Sequence, residues 1–219
     1  MKKILRILLP FMILMGVTGC MTKSVPANEQ MVQYMESKYG ESFTFLEYTG
    51  GKFGDSTFNG FVSSETFPDA KIFVTGDSKN PGVFSDNYVA FLQNEAACKI
   101  LQDLAGEVDS RWKVFCTPET VGLPMDRETS ALEYLQNGAA LVTLFLPSGE
   151  SQEQCDAQME QFRQKLWEKS IRADMTVFLR SDDTLAGINR DNYRSESTGS
   201  YDGRFAMDQS GEFVTARWR

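Results

Sequence analysis

Cysteines and carboxylates are the first candidates for covalent and acid–base chemistry in this chain, which contains no histidine. That absence excludes Ser-His-Asp and Cys-His nucleophilic catalysis, histidine general bases and histidine-containing metal sites. The cysteines are Cys20, Cys98, Cys116 and Cys155, with no CxxC spacing, so neither a zinc ribbon nor a CxxC redox centre is encoded and no cofactor or metal is implied. Cys98 falls early in a helical pattern and Cys116 late in the strand that returns from it. About ten helical residues rise ~15 Å, and six or seven strand residues return ~20 Å. The two cysteines therefore reach one level of the fold and form a candidate disulfide, the alternative being buried free thiols. Cys155 lies on an apolar helical face and reads as a small buried hydrophobe.

The carboxylates cluster as Asp182, Asp183, Asp191, Glu196 and Asp202, with Asp69, Asp77 and Asp86 near strand ends. Two carboxylates ~5–10 Å apart suffice for glycoside hydrolysis. No spacing fixes such a pair, and a chain with 30 Asp+Glu makes solvated acidic loops by composition alone. Calcium ligation through Asp182, Asp183 and Asp191 lacks the EF-hand spacing. The formal net charge of -8 argues against nucleic acid as a partner, since phosphates demand a basic footprint.

Residues 1–20 read MKKILRILLPFMILMGVTGC. Lys2, Lys3 and Arg6 precede an apolar run broken only by Pro10, and small residues close the segment, which is the pattern of a secretory signal. Val17-Thr18-Gly19-Cys20 resembles the bacterial lipobox. The resemblance implies that residues 1–19 are removed, that Cys20 carries a diacylglyceryl group, and that the membrane is a partner through this lipid. Two acyl chains anchor stably where one is marginal. Losing Lys2, Lys3 and Arg6 from 22 basic and 30 acidic residues leaves a net charge of -11, so the domain gains nothing from an anionic surface. Residues 20–27 make a short tether, and the expected location is the outer face of the cell membrane.

The whole chain is 42% hydrophobic and 12% aromatic, enough for the remainder, 28–219, to form one α+β domain, with a subdomain split near 93–110 as the alternative. Asn28 is placed to cap a helix through Met31, Met35 and Tyr39 that ends at Gly40. Strands are expected at Phe43–Tyr48, Phe58–Ser63, Ala70–Thr75 and Asn87–Leu92, forming an antiparallel meander. The second half is βα-rich, packing helices on a mixed sheet. Its elements are a helix capped by Asn94, a strand at Trp112–Cys116, capping boxes at Ser130 and Ser151, and strands at Ala140–Leu146 and Met175–Arg180. A polar loop follows over 181–200, and then a hairpin of Arg204–Met207 and Glu212–Trp218. Trp112, Trp167 and Trp218 are expected in the core.

Tyr48, Phe53, Phe58, Phe61 and Phe67 alternate with Gly, Ser, Thr and Asp. They form either a glycan- or peptide-contacting surface or the buried face of a hairpin. Lys38-Tyr39-Gly40-Glu41-Ser42-Phe43, Tyr48-Thr49-Gly50-Gly51-Lys52-Phe53-Gly54 and Ser85-Asp86-Asn87-Tyr88-Val89-Ala90 resemble segments of small lipoproteins of Firmicutes. That resemblance covers about the central third, implies a Gram-positive membrane address and transfers no catalytic residue. The functional expectation is a lipid-anchored, non-catalytic module binding a protein or glycan. The alternatives are a carboxylate-dependent hydrolase of cell-wall glycans and an accessory subunit of a membrane complex.

Overall fold

The computed structural model describes residues 25–50, 56–118 and 125–219. Helix α1, Ala27–Tyr39, starts just before its expected cap. Pro26 takes the cap position, with its carbonyl accepting from the Gln30 N–H, while the Asn28 backbone N–H donates to the Tyr48 hydroxyl. Met31, Met35 and Tyr39, spaced by four, turn one apolar face inward. Gly40 ends the helix at φ 70°, a left-handed conformation that suits glycine.

Strands β1 (Phe43–Tyr48), β2 (Thr57–Ser64), β3 (Ile72–Asp77) and β4 (Phe84–Asp86) follow as an antiparallel sheet in sequential order. The segment read as the fourth strand, Asn87–Leu92, is instead the opening of helix α2, Tyr88–Gly106. A buried carboxylate explains the correction. Asp86 accepts the Tyr88 N–H at 2.8 Å and so supplies the cap, while the Asn87 side chain accepts from Phe73 N–H on β3. Tyr88, Val89 and Ala90 are all buried, so this first turn is enclosed all round and shows no amphipathic period. Asn94 consequently lies inside α2 rather than at its start.

The second half forms a five-stranded mixed sheet, β5 (Lys113–Thr117), β6 (Ala139–Pro147), β7 (Arg172–Arg180), β8 (Gly203–Met207) and β9 (Phe213–Trp218), in that order. Only β6 and β7 run parallel, joined through helix α4, Gln152–Glu168. Both capping boxes form. Ser130 opens α3, Ala131–Asn137, with Glu133, and Ser151 opens α4 with Gln154. β6 is buried on both faces over Leu144–Leu146, as its almost wholly apolar run predicts, while Leu141 and Thr143 are half-buried. Leu144 and Leu146 join the main core, while Phe145 meets Phe178, Leu185, Ile188 and Tyr193 in a second cluster.

The 181–200 stretch, expected as a loop, folds into helix α5, Asp182–Gly187, and the single turn α6, Tyr193–Glu196. Ser181 caps α5 by accepting the Thr184 N–H. Among the tryptophans Trp112 is fully buried, but Trp167 is 41% exposed, and Trp218 is half-buried with its indole N–H donated to Asp156 at 2.7 Å. The main core is continuous from Met31 through Val62 and Leu101 to Leu144 and Phe162, so α2 packs against elements of both halves. The architecture is α+β. No helix among the described residues is long and apolar enough to cross a membrane.

Candidate functional site

β5 is an edge strand, and an exposed edge offers unpaired backbone groups that must be covered. Helix α2 covers this one with side chains. Asn94, Cys98 and Gln102 recur every four residues and so lie along one helical face. Gln102 donates to the Trp112 carbonyl at 2.9 Å and accepts the Val114 N–H at 2.9 Å. The Cys98 sulfur accepts the Cys116 N–H at 3.0 Å, and Asn94 donates to the Cys116 carbonyl at 3.0 Å. A polar ladder from α2 thus replaces the missing neighbouring strand.

Beside this ladder lies a cavity of about 450 Å³, its walls including Asn94, Cys98, Phe115, Cys116, Arg190 and Tyr193. A smaller one of about 370 Å³ adjoins it, sharing Asn94, Arg190 and Tyr193 and continuing to Phe67 and Phe91. The far wall is built by the α5–α6 segment. Tyr193 stacks on Phe115 with centroids 4.4 Å apart and planes within 9°, which fixes α6 against β5. Arg190 reaches back to α2, 3.3 Å from the Glu95 carboxylate. The result is a groove with aromatic walls, amide groups and a cation at its mouth, the composition of a small-ligand site.

The floor holds two free thiols. Cys98 and Cys116 place their sulfurs 3.0 Å apart; Cys98 is partly exposed and Cys116 only 4%. The Cys98 thiol is held below its ordinary range by the hydrogen bond from the Cys116 thiol. Further help comes from the Cys116 N–H and the Arg190 charge, against the opposing effect of burial. The same contact and burial push the Cys116 thiol up. Cys155 is buried on α4, 4% exposed, and burial raises its thiol.

The aromatic stretch is divided rather than gathered. Tyr48, 53% exposed at the end of β1, packs on Phe45. Phe58 meets Phe84 edge to face. Phe61 pairs with Phe73 across β2 and β3 on the opposite sheet face, where Lys71 covers its ring. Phe67 packs on Tyr88 and Phe91, at the end of the groove. Phe53 and the lipidation residue Cys20 lie outside the described residues.

Three of the candidate carboxylates are engaged in structure, while Asp69, Asp183 and Asp191 are exposed. Asp202 accepts the Leu179 N–H at 2.8 Å and pairs with Arg180 at 3.6 Å. Asp182 lies 3.5 Å from Arg111, which also binds Asp109 and Glu150. Asp86, only 1% exposed, accepts from Tyr34, Lys38, Tyr39 and the Tyr88 backbone. Among the described residues no three or more acidic or cysteine side chains are grouped to hold a metal. Arg190 and Tyr193 escaped sequence reasoning because their segment has no periodicity. The four-residue spacing of Asn94, Cys98 and Gln102 was the available signal for the helical wall.

No family model matches the chain, and no curated protein matches it. Among solved structures it is similar to a DUF5037 family protein from Ruminococcus gnavus ATCC 29149. The identity is 13%, the TM-score 0.41, and the match covers 86% of this chain and 94% of the other.

Proposed function

We propose that this is a lipid-anchored protein of the outer membrane face that binds a small ligand, or a short segment of a protein or glycan, without turning it over. The observation that carries the binding role is the groove between α2, β5 and the α5–α6 segment, with about 450 Å³ in its main chamber. Its size and its mixture of stacked aromatic walls, amides and a peripheral arginine are those of ligand pockets. Arg190, paired with the exposed Glu95, is placed to meet an anionic group on the ligand. Asp182 and Asp202, two of the acids named for the hydrolase alternative, are paired with Arg111 and Arg180. The anchor rests on the Val17–Cys20 signal and on the two acyl chains it would receive.

Two measurements test this reading. Cells expressing the full chain are labelled with a fatty-acid probe; the wild type takes up label and Cys20→Ser does not. Label retained by Cys20→Ser refutes the anchor. The detergent-solubilised protein is then screened by thermal shift against muropeptides and short peptides. A saturable shift that Arg190→Glu abolishes is expected, and a shift unaffected by Arg190→Glu refutes the groove as the binding site.

A further inference from the structure

We propose that Cys98 and Cys116 form a reactive dithiol in the groove, which exchanges with low-molecular-weight disulfides bearing a carboxylate. The proposal rests on the reading of the groove as a ligand site and adds a stoichiometric exchange, one disulfide consumed per dithiol, which is not catalytic turnover. Three features of placement carry it. The sulfurs lie 3.0 Å apart, so closing to a disulfide length of ~2.05 Å needs only a small side-chain movement. Cys98 faces the cavity and is partly exposed, whereas Cys116 is buried behind it, so an incoming disulfide meets Cys98 first. The charge environment then favours Cys98 as the thiolate. It accepts the Cys116 N–H at 3.0 Å and faces the Cys116 thiol, while Arg190 on the opposite wall favours the ionised form of either sulfur. Glu95 opposes this weakly, and burial of the sulfur opposes it as well. Cys155, buried on α4 away from the cavity lining, has none of these supports.

The chemistry balances without any further oxidant. Cys98, having lost its proton to solvent, attacks one sulfur of R–S–S–R. The R–S–S–R bond breaks, a Cys98–S–S–R mixed disulfide forms, and R–S⁻ leaves and is protonated. Cys116 then loses its proton and attacks the Cys98 sulfur, which expels the second R–S⁻, protonated in turn. The protein dithiol is oxidised to a Cys98–Cys116 disulfide, and the two electrons and two protons leave with two R–SH molecules. Arg190 is positioned for the carboxylate of R, and a chamber of about 450 Å³ admits a small disulfide rather than a folded protein.

The test uses the full chain in detergent, reduced and freed of reductant, with oxidised glutathione as probe. Peptide mapping should find a Cys98–Cys116 disulfide while Cys155 stays free. Cys116→Ser should stop at one glutathionyl group on Cys98, and Cys98→Ser should react at least about tenfold more slowly, because its remaining groove thiol is buried. A measurement on the unmutated protein guards against misfolded variants: iodoacetamide should alkylate Cys98 about tenfold or more faster than Cys155. Equal rates at Cys98 and Cys155, or no exchange by protein with native circular dichroism, overturns the proposal. If exchange fails while Arg190→Glu still abolishes a ligand-induced thermal shift, only the dithiol chemistry falls. If Arg190→Glu leaves that shift intact while exchange proceeds, the binding reading and the carboxylate preference fall and the dithiol chemistry stands.

Discussion

Replacing Asp86 with Asn should be among the most damaging single-atom changes in this molecule. The carboxylate is 1% exposed and receives four donors. Tyr34 O–H and Lys38 Nζ reach Oδ2 at 2.7 and 2.8 Å, while Tyr39 O–H and the Tyr88 N–H reach Oδ1 at 2.7 and 2.8 Å. Only an ionised carboxylate accepts at both ends. An asparagine placed with its oxygen toward Tyr88 and Tyr39 keeps two of these bonds and turns an NH₂ toward Tyr34 and Lys38. The Tyr34 hydroxyl can rotate and accept, but the ammonium cannot. Lys38, a quarter exposed, must swing out to water and give up its ion pair. Charge-assisted bonds contribute ~1.5–3 kcal/mol each, and unpairing a buried ion pair costs ~3–5 kcal/mol. With the tyrosine rescued and the lysine rehydrated, the loss should be about 3 kcal/mol, a large share of a typical stability of ~5–15 kcal/mol.

Urea unfolding at pH 7, followed by tryptophan fluorescence, should show a lower midpoint with an unchanged m-value. Adding Lys38→Met to the Asp86→Asn chain should cost little more, because the pair is already broken. A loss below about 1 kcal/mol for Asp86→Asn, the worth of one ordinary hydrogen bond, would refute the account of Asp86 as the hub joining α1, β4 and α2.

The same hub predicts alkaline behaviour. Burial first, and the Asp86 charge second, raise the Tyr34 and Tyr39 hydroxyls above their ordinary value, so the folded chain keeps protons that the unfolded chain gives up above ~10. Their stabilisation should be complete below that pH and fall as pH rises beyond it, and phenolate absorbance from these two tyrosines should appear only with unfolding. Gly211→Ala should lower the melting temperature. Gly211 holds φ 83°, and a Cβ there would lie 2.2 Å from the Trp167 ring, so a cost of about 1–3 kcal/mol is expected. Trp167→Ala in that background should restore the steric part alone. Gln102→Leu should strip the partners of Val114 N–H and the Trp112 carbonyl, costing ~1–3 kcal/mol and accelerating hydrogen exchange at Val114.

How far the sequence could be read depends on how far apart the deciding atoms lie along the chain. The capping boxes of Ser130 with Glu133 and Ser151 with Gln154 are legible because both partners sit within four residues. β6 is legible because an almost wholly apolar run leaves few homes other than a strand covered on both faces. The start of α2 is not legible, since Tyr88-Val89-Ala90-Phe91-Leu92 has strand composition and the helix there depends on Asp86, itself held by donors from α1. The level-matching of Cys98 with Cys116 survives that error, because it counts only from Cys98 to the helix end and back along β5. The opposite wall of the groove lies beyond such arithmetic. Arg190 and Tyr193 arrive through two short helices whose position is set by Tyr193 stacking on Phe115, a contact 78 positions apart in the chain. A groove with one wall written in a four-residue period and the other in a long-range aromatic contact is half-visible from sequence. The visible half carries the thiols, and the hidden half carries the cation whose charge acts on both of them.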